Sequence, residues 1–269
     1  MYRFTSTSLE IVERGQGSHA HPVPLVFVHG AFQSAWCWNE HFLDFFADLG
    51  YRSIALSLRG HGLSPNSRSL RSCSIADYVT DVSSVCAELS PSPVVIGHSM
   101  GGFVVQKYLE RHDAPAAVLM ASPPPRGHLR ALIRLLRQRP WHCLKFGVTG
   151  DPADLCGTTD GLRKLYFSDA TPDAVIADAA KRFQRESLRA LNFDMALRNR
   201  VNPQMIGTPL LVLGSDCDGT YPSTDIAATA AAYDTVAEFI PETGHQMMLD
   251  NAWPSVAERI DTWLTRQGL

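Results

Sequence analysis

No stretch of the 269-residue sequence approaches the ~18 consecutive apolar residues that span a bilayer. Nor does the N-terminal MYRFTSTSLEIVERG have the charged and then apolar regions of a secretory signal, so a soluble, cytoplasmic chain with no membrane span is expected. An excess of one charge is missing too: 24 Lys and Arg stand against 27 Asp and Glu, a net charge of −3 with histidine neutral. That balance offers no basic face for nucleic acid and favours a small-molecule substrate as partner. The six cysteines, Cys37, Cys73, Cys86, Cys143, Cys156 and Cys217, form neither a CxxC pair nor a metal-ligand spacing. They read as buried thiols in a reducing compartment. His19 and His21 form an i, i+2 pair without further ligands, so no metal and no cofactor is expected. No expected strand is followed by G-x-G-x-x-G, which argues against a dinucleotide oxidoreductase.

What the sequence does have is rhythm. Short runs rich in Val, Ile and Leu recur between turn residues: PLVFVHG, YRSIALSL, SPVVIGHS, APAAVLMAS, TPLLVLGSD and TVAEFIP. Runs of this kind are strands buried on both faces, and the helical patterns between them imply a mostly parallel sheet. YRFTSTS and LEIVERG alternate instead, which predicts an antiparallel hairpin at the sheet edge. Residues 36–49 carry Trp38, Phe42, Phe45, Phe46 and Leu49 on one face of an expected helix. Ser74 with Asp77 reads as a capping box for a helix that buries Tyr78, Val82, Val85 and Leu89.

After AVLMAS the rhythm stops at Pro123, Pro124 and Pro125, and no strand pattern returns until Pro209 introduces LLVLG. Residues 123–203 are therefore expected to form an inserted helical cap on a core made of 1–122 and 204–269. Within it, Leu129, Leu132, Ile133 and Leu136 form an apolar stripe, and Arg126, Arg130, Arg134 and Arg137 a basic one. The basic stripe is either a solvated face or a dock for an acidic partner. A second cap helix is expected from Thr171, with Pro172 in its first turn and Val175, Ile176, Ala179 and Phe183 facing inward.

Gly97-His98-Ser99-Met100-Gly101 satisfies G-x-S-x-G directly after one strand and before a helical pattern. That context suits a sharp strand-to-helix turn that exposes the Ser99 hydroxyl above the sheet. Such a serine needs a base, and the base needs an orienting acid. ETGHQ puts His245 after the last expected strand, and GSDCDGTYP puts Asp216 and Asp218 after the strand before it. All converge on the carboxyl ends of the strands, where open α/β sheets bind ligands.

These motifs, in this order, resemble those of the α/β-hydrolase superfamily along nearly the whole chain. VFVHGAFQSAW resembles its oxyanion loop, RGHGLSP its post-strand turn, GHSMGG its nucleophile elbow, and GHQMMLDNAWPSVAERIDTWL its histidine turn and closing helix. The resemblance implies an α/β fold with an eight-stranded, mostly parallel sheet, the antiparallel N-terminal edge hairpin and the helical cap. It implies a triad of Ser99, Asp218 and His245, because D-G-T-Y-P places Asp218 in the family's register, with Asp216 as the other candidate acid. The oxyanion hole falls to the N–H of Met100 and of Ala31 or Phe32, with Phe32 favoured by register. His29 and His98 read as structural, and His61 as a turn residue near the pocket floor. Ser57 stands where many members have an aspartate, which leaves the triad intact.

The activity implied is hydrolysis of a carboxylic ester or thioester of a small to medium apolar acyl group, through an acyl-enzyme. Candidate pocket residues are Ala31, Trp36, Trp141, Phe146, Phe167, Phe193 and Met247, together with Phe32. VHGAFQSAWCW also resembles plant hydroxynitrile lyases and methylesterases, so lyase or C–C hydrolase chemistry on the same triad is an alternative. A ligand-binding receptor on the hydrolase scaffold is another.

Overall fold

The computed structural model describes residues 2–5, 8–198 and 200–269. Among them, eight strands form one sheet: β1 (Tyr2–Phe4), β2 (Glu10–Arg14), β3 (Leu25–Val28), β4 (Ser53–Leu56), β5 (Val94–His98), β6 (Ala117–Met120), β7 (Leu210–Ser215) and β8 (Ala237–Ile240). Their order is β1-β2-β4-β3-β5-β6-β7-β8. The first two pairings, β1 with β2 and β2 with β4, are antiparallel, and all later ones are parallel. The edge hairpin is as the alternating pattern predicts, although residues 6 and 7 of the expected first strand lie outside the described residues. Every residue of β3, β4, β5 and β6 is buried, as expected of strands covered on both faces.

The covering helices on either side of the central strands are α1 (Trp36–Asn39), α2 (Phe42–Asp48), α3 (Ile75–Ala87) and α4 (Met100–Leu109). The single helix expected over 36–49 is thus two. His41, at φ −143°, breaks it and stacks its ring on Trp253 at 4.6 Å. The break turns Trp38, Phe42 and Phe46 onto Phe27 of β3, while Leu49 is left exposed. Ser74 and Asp77 make the reciprocal capping box at the start of α3, and Tyr78, Val82, Val85 and Leu89 are buried below it.

Between β6 and β7 the chain holds α5 (Leu129–Gln138), α6 (Pro140–Thr149), α7 (Pro152–Cys156), α8 (Thr159–Tyr166), α9 (Asp173–Arg182) and a π-helical segment, Arg189–Arg198. None of the described residues there is in a strand. Helices α10 (Ser223–Ala231) and α11 (Trp253–Arg266) complete the sheet's cover. No described helix is long and apolar enough to cross a membrane.

Candidate active site

Strand β5 ends at His98, and Ser99 follows at φ 51° and ψ −118°. A non-glycine residue held there costs of order 1–3 kcal/mol, which the surrounding structure has to offset. The turn is pinned by the Ser99 N–H donating to Met120 O at 2.9 Å. It closes only around glycine: a Cβ on Gly97 would lie 2.6 Å from Gly101 O, and one on Gly101 would lie 2.4 Å from the Val28 and His29 carbonyl oxygens. The motif's spacing is therefore a packing requirement of this turn.

Asp218 follows β7 and His245 follows β8, so both arrive at the same end of the sheet as Ser99. The His245 Nδ1 lies 2.8 Å from Asp218 Oδ2, with side-chain exposures of only 3% and 1%. Asp218 Oδ1 accepts the N–H groups of Thr220 at 2.6 Å and Tyr221 at 2.8 Å, which fixes the carboxylate plane. Asp216 is exposed and accepts the Thr243 N–H at 3.4 Å, away from the imidazole. Of the two candidate acids, only Asp218 touches His245.

The neighbouring histidines are committed elsewhere. His98 Nε2–H donates to the carbonyl oxygen of His245 at 2.9 Å, so the elbow supports the backbone of the histidine turn. Burial pushes the His98 imidazole well below its ordinary value. His29 Nδ1–H donates to Gly30 O at 2.8 Å and its Nε2 accepts the Leu58 N–H at 3.0 Å. Burial pushes its pKa down to about 3, so it is a neutral structural ring. The histidine turn itself is anchored by the buried Asp250, which accepts the N–H groups of Gly244 at 3.0 Å and Ser168 at 2.8 Å.

The Phe32 N–H, at a residue with φ 70°, donates to Glu186 Oε2 at 3.4 Å. The Ala31 N–H has no partner among the described residues, nor does the Met100 N–H at the start of α4. Glu186 itself was not legible in the sequence: within FQRESL it reads as a solvated charge, yet it is fully buried. It also accepts from His61 Nε2 at 3.0 Å, Tyr78 Oη at 2.8 Å and the Ser187 N–H at 2.6 Å.

Ser99 and His245 line one cavity of about 270 Å³, together with Ala31, Phe32, Met100 and Phe146. Six leucines add to its wall, Leu132, Leu135 and Leu136 of α5 and Leu155, Leu165 and Leu191, beside polar groups that include His128, Arg134 and Tyr221. No hydrogen bond joins Ser99 to His245 among the described residues.

The other expected pocket residues are elsewhere. Trp141 is 75% exposed on the outer side of α6, and Phe193 is exposed with the Arg198 guanidinium 4.9 Å from its ring centre. Trp36 packs under Arg182 at 4.0 Å, Phe167 packs against Gly244 beneath the histidine turn, and Met247 is buried in the core. Of the basic stripe, Arg134 also lines the cavity. It lies 4.0 Å from Asp225, and Arg126 is 3.8 Å from the same carboxylate. An internal acid thus answers two of the four arginines. No group of three or more His, Cys, Asp or Glu that could hold a metal occurs among the described residues.

Known proteins resemble this chain in sequence and in fold. A non-heme haloperoxidase of Rhodococcus erythropolis is 38% identical over 106 residues, which is 38% of each chain. A non-heme chloroperoxidase of Burkholderia pyrrocinia is 35% identical over 136 residues, 46% of this chain and 45% of that one. The chain thus spans less than half the length of these curated relatives. A thermophilic esterase from Thermogutta terrifontis superposes with a TM-score of 0.74 at 20% identity, over 100% of this chain and 99% of that one. The likeness at that identity is one of fold. The profile of the alpha/beta hydrolase family matches residues 25–259, from the first buried strand to the closing helix, and the chain belongs to that family.

Proposed function

We propose that the protein is a serine hydrolase that cleaves a carboxylic ester or thioester of a small to medium, mainly apolar substrate. The observation that carries this reading is the 2.8 Å Asp218–His245 pair opening onto the same cavity as the strained Ser99. Asp218 accepts the Nδ1–H of His245, which leaves Nε2 with its lone pair toward the cavity. Ser99 Oγ attacks the carbonyl carbon while its proton passes to Nε2. The resulting oxyanion is met by the N–H of Met100 and by that of Ala31 or Phe32, which line the same cavity. Collapse of the tetrahedral intermediate breaks the bond to the leaving alcohol or thiol, which takes the proton from Nε2. Water, activated by the same nitrogen, then attacks the acyl-enzyme and releases the acid and Ser99. Segment 123–203 acts as a cap over a core of 1–122 and 204–269, and its leucines exclude water from the acyl chain.

The test is labelling by a fluorophosphonate probe combined with hydrolysis of p-nitrophenyl esters of increasing chain length. Wild-type protein is labelled and turns over the short and medium esters, and Ser99→Ala abolishes both. An unlabelled wild-type protein with no turnover of any ester would overturn the proposal.

A further inference from the structure

Beside His245 the cavity wall carries a polar pair that the proposed mechanism does not use. Tyr221, buried in the loop after β7, has its hydroxyl 3.3 Å from Nδ1 of His128, which precedes α5. The direction of that bond follows from the other side of the imidazole. His128 Nε2 lies 2.8 Å from Leu191 O, and a carbonyl oxygen only accepts, so Nε2 carries the hydrogen. Burial pushes His128 below its ordinary value and keeps it neutral, leaving Nδ1 with a lone pair. The Tyr221 hydrogen is therefore committed to His128. What Tyr221 presents to the cavity is an oxygen that only accepts.

The Tyr221 ring centre stands 5.6 Å from that of His245, and both residues line the cavity with Ser99. The tyrosine is held at both ends, its N–H by Asp218 Oδ1 at 2.8 Å and its hydroxyl by His128 Nδ1. A substrate that fills the cavity shuts water out from that oxygen and must supply a donor in its place, or a buried acceptor is left unmet.

We infer that the substrate supplies that donor: the acyl group carries a hydroxyl close to the reacting carbonyl, which bonds Tyr221 Oη. This rests on the serine-hydrolase reading and narrows its substrate class to hydroxyacyl esters or thioesters, with the hydroxyl on the first or second carbon beyond the carbonyl. The aliphatic remainder of the cavity takes the rest of the chain. Tyr221 is the specificity-determining residue, and His128 acts through it.

The experiment compares p-nitrophenyl butyrate with the 2-hydroxy- and 3-hydroxybutyrate esters, reading kcat/KM for wild type, Tyr221→Phe and His128→Leu. Wild type is expected to prefer one hydroxylated ester over butyrate at least ~10-fold, the scale of one well-made hydrogen bond. In Tyr221→Phe that ratio falls to about one, whatever happens to the absolute rates. In His128→Leu it falls in the same direction, because the freed tyrosine hydrogen turns toward the cavity; this second variant serves if the first does not fold. A wild-type protein that is labelled by the fluorophosphonate and hydrolyses butyrate as well as both hydroxy esters overturns the inference and leaves the hydrolase reading standing. So does a Tyr221→Phe protein that keeps the preference. Absence of labelling and of all turnover removes both.

Discussion

Two buried imidazole–carboxylate pairs lie on the same side of this sheet, and they differ in what the second ring nitrogen does. In His245–Asp218 the Nδ1 is held at 2.8 Å, while Nε2 has no partner among the described residues and belongs to a cavity-lining ring. In His61–Glu186 both nitrogens are occupied: Nε2 by the carboxylate at 3.0 Å and Nδ1 by the Arg59 carbonyl oxygen at 3.1 Å. Both acceptors require a hydrogen, so His61 is an imidazolium with no lone pair to offer. The first pair leaves one ring nitrogen open and the second holds a charge. The second also carries position, since Glu186, from the helical stretch between β6 and β7, bonds the Phe32 amide in the loop beside Ala31.

Substitutions at the two acids separate these roles most strongly in rate. Asp218→Asn should lower kcat toward a p-nitrophenyl ester by about 10⁴-fold, because the amide favours the wrong tautomer of His245 while leaving the geometry in place. Steady-state kinetics on variant protein with a cooperative melting transition measure this. A loss below about tenfold would make the two pairs alike and break the distinction.

The first pair was legible in the sequence and the second was not, for a physical reason. Ser99, Asp218 and His245 each follow a strand at a turn whose shape depends on nearby residues, such as Gly97 and Gly101 around Ser99, so local spacing encodes their place. Glu186 has meaning only once its segment meets α3, the RGHG turn and the oxyanion loop, partners more than 100 residues away along the chain. The pocket wall failed similarly. Position in the expected cap segment suggested Trp141 and Phe193, but helix packing decides which face looks inward, and the leucines of α5 took that place. The apolar stripe of α5 was visible, and two of its members, Leu132 and Leu136, line the cavity; that the stripe faced a cavity and not solid core was not. The bond of the Phe32 amide to Glu186 was likewise out of reach, because its partner lies 154 residues along the chain.

Stability gives the next largest difference. Glu186→Gln keeps the volume but leaves His61 without its counter-charge in a fully buried site, and breaking such a pair costs about 3–5 kcal/mol. Chemical denaturation should show that loss as a lower midpoint. A change under about 1 kcal/mol would mean that the carboxylate is not the hub that joins the stretch between β6 and β7 to α3 and the loop after β3.

The smallest effect is in the pH dependence of that stability. Burial alone would push His61 down, but the Glu186 carboxylate overrides it and holds the imidazole above its ordinary 6.5. Burial likewise opposes the charge on Glu186, and His61, the Ser187 amide and Tyr78 hold it below its ordinary 4.5. A raised imidazole stabilises the fold fully below pH 6.5 and loses that contribution as pH climbs through its folded value. A lowered carboxyl contributes above pH 4.5 and fades as pH falls through its own. The pair therefore stabilises most between the two ordinary values, and each unit of displacement is worth about 1.4 kcal/mol. The melting temperature of wild type should decline as pH rises above 6.5, and His61→Asn should melt lower but with a shallower decline over that range. Equal slopes in the two proteins would show that His61 is neutral in the fold, and would remove the charge from one side of the comparison.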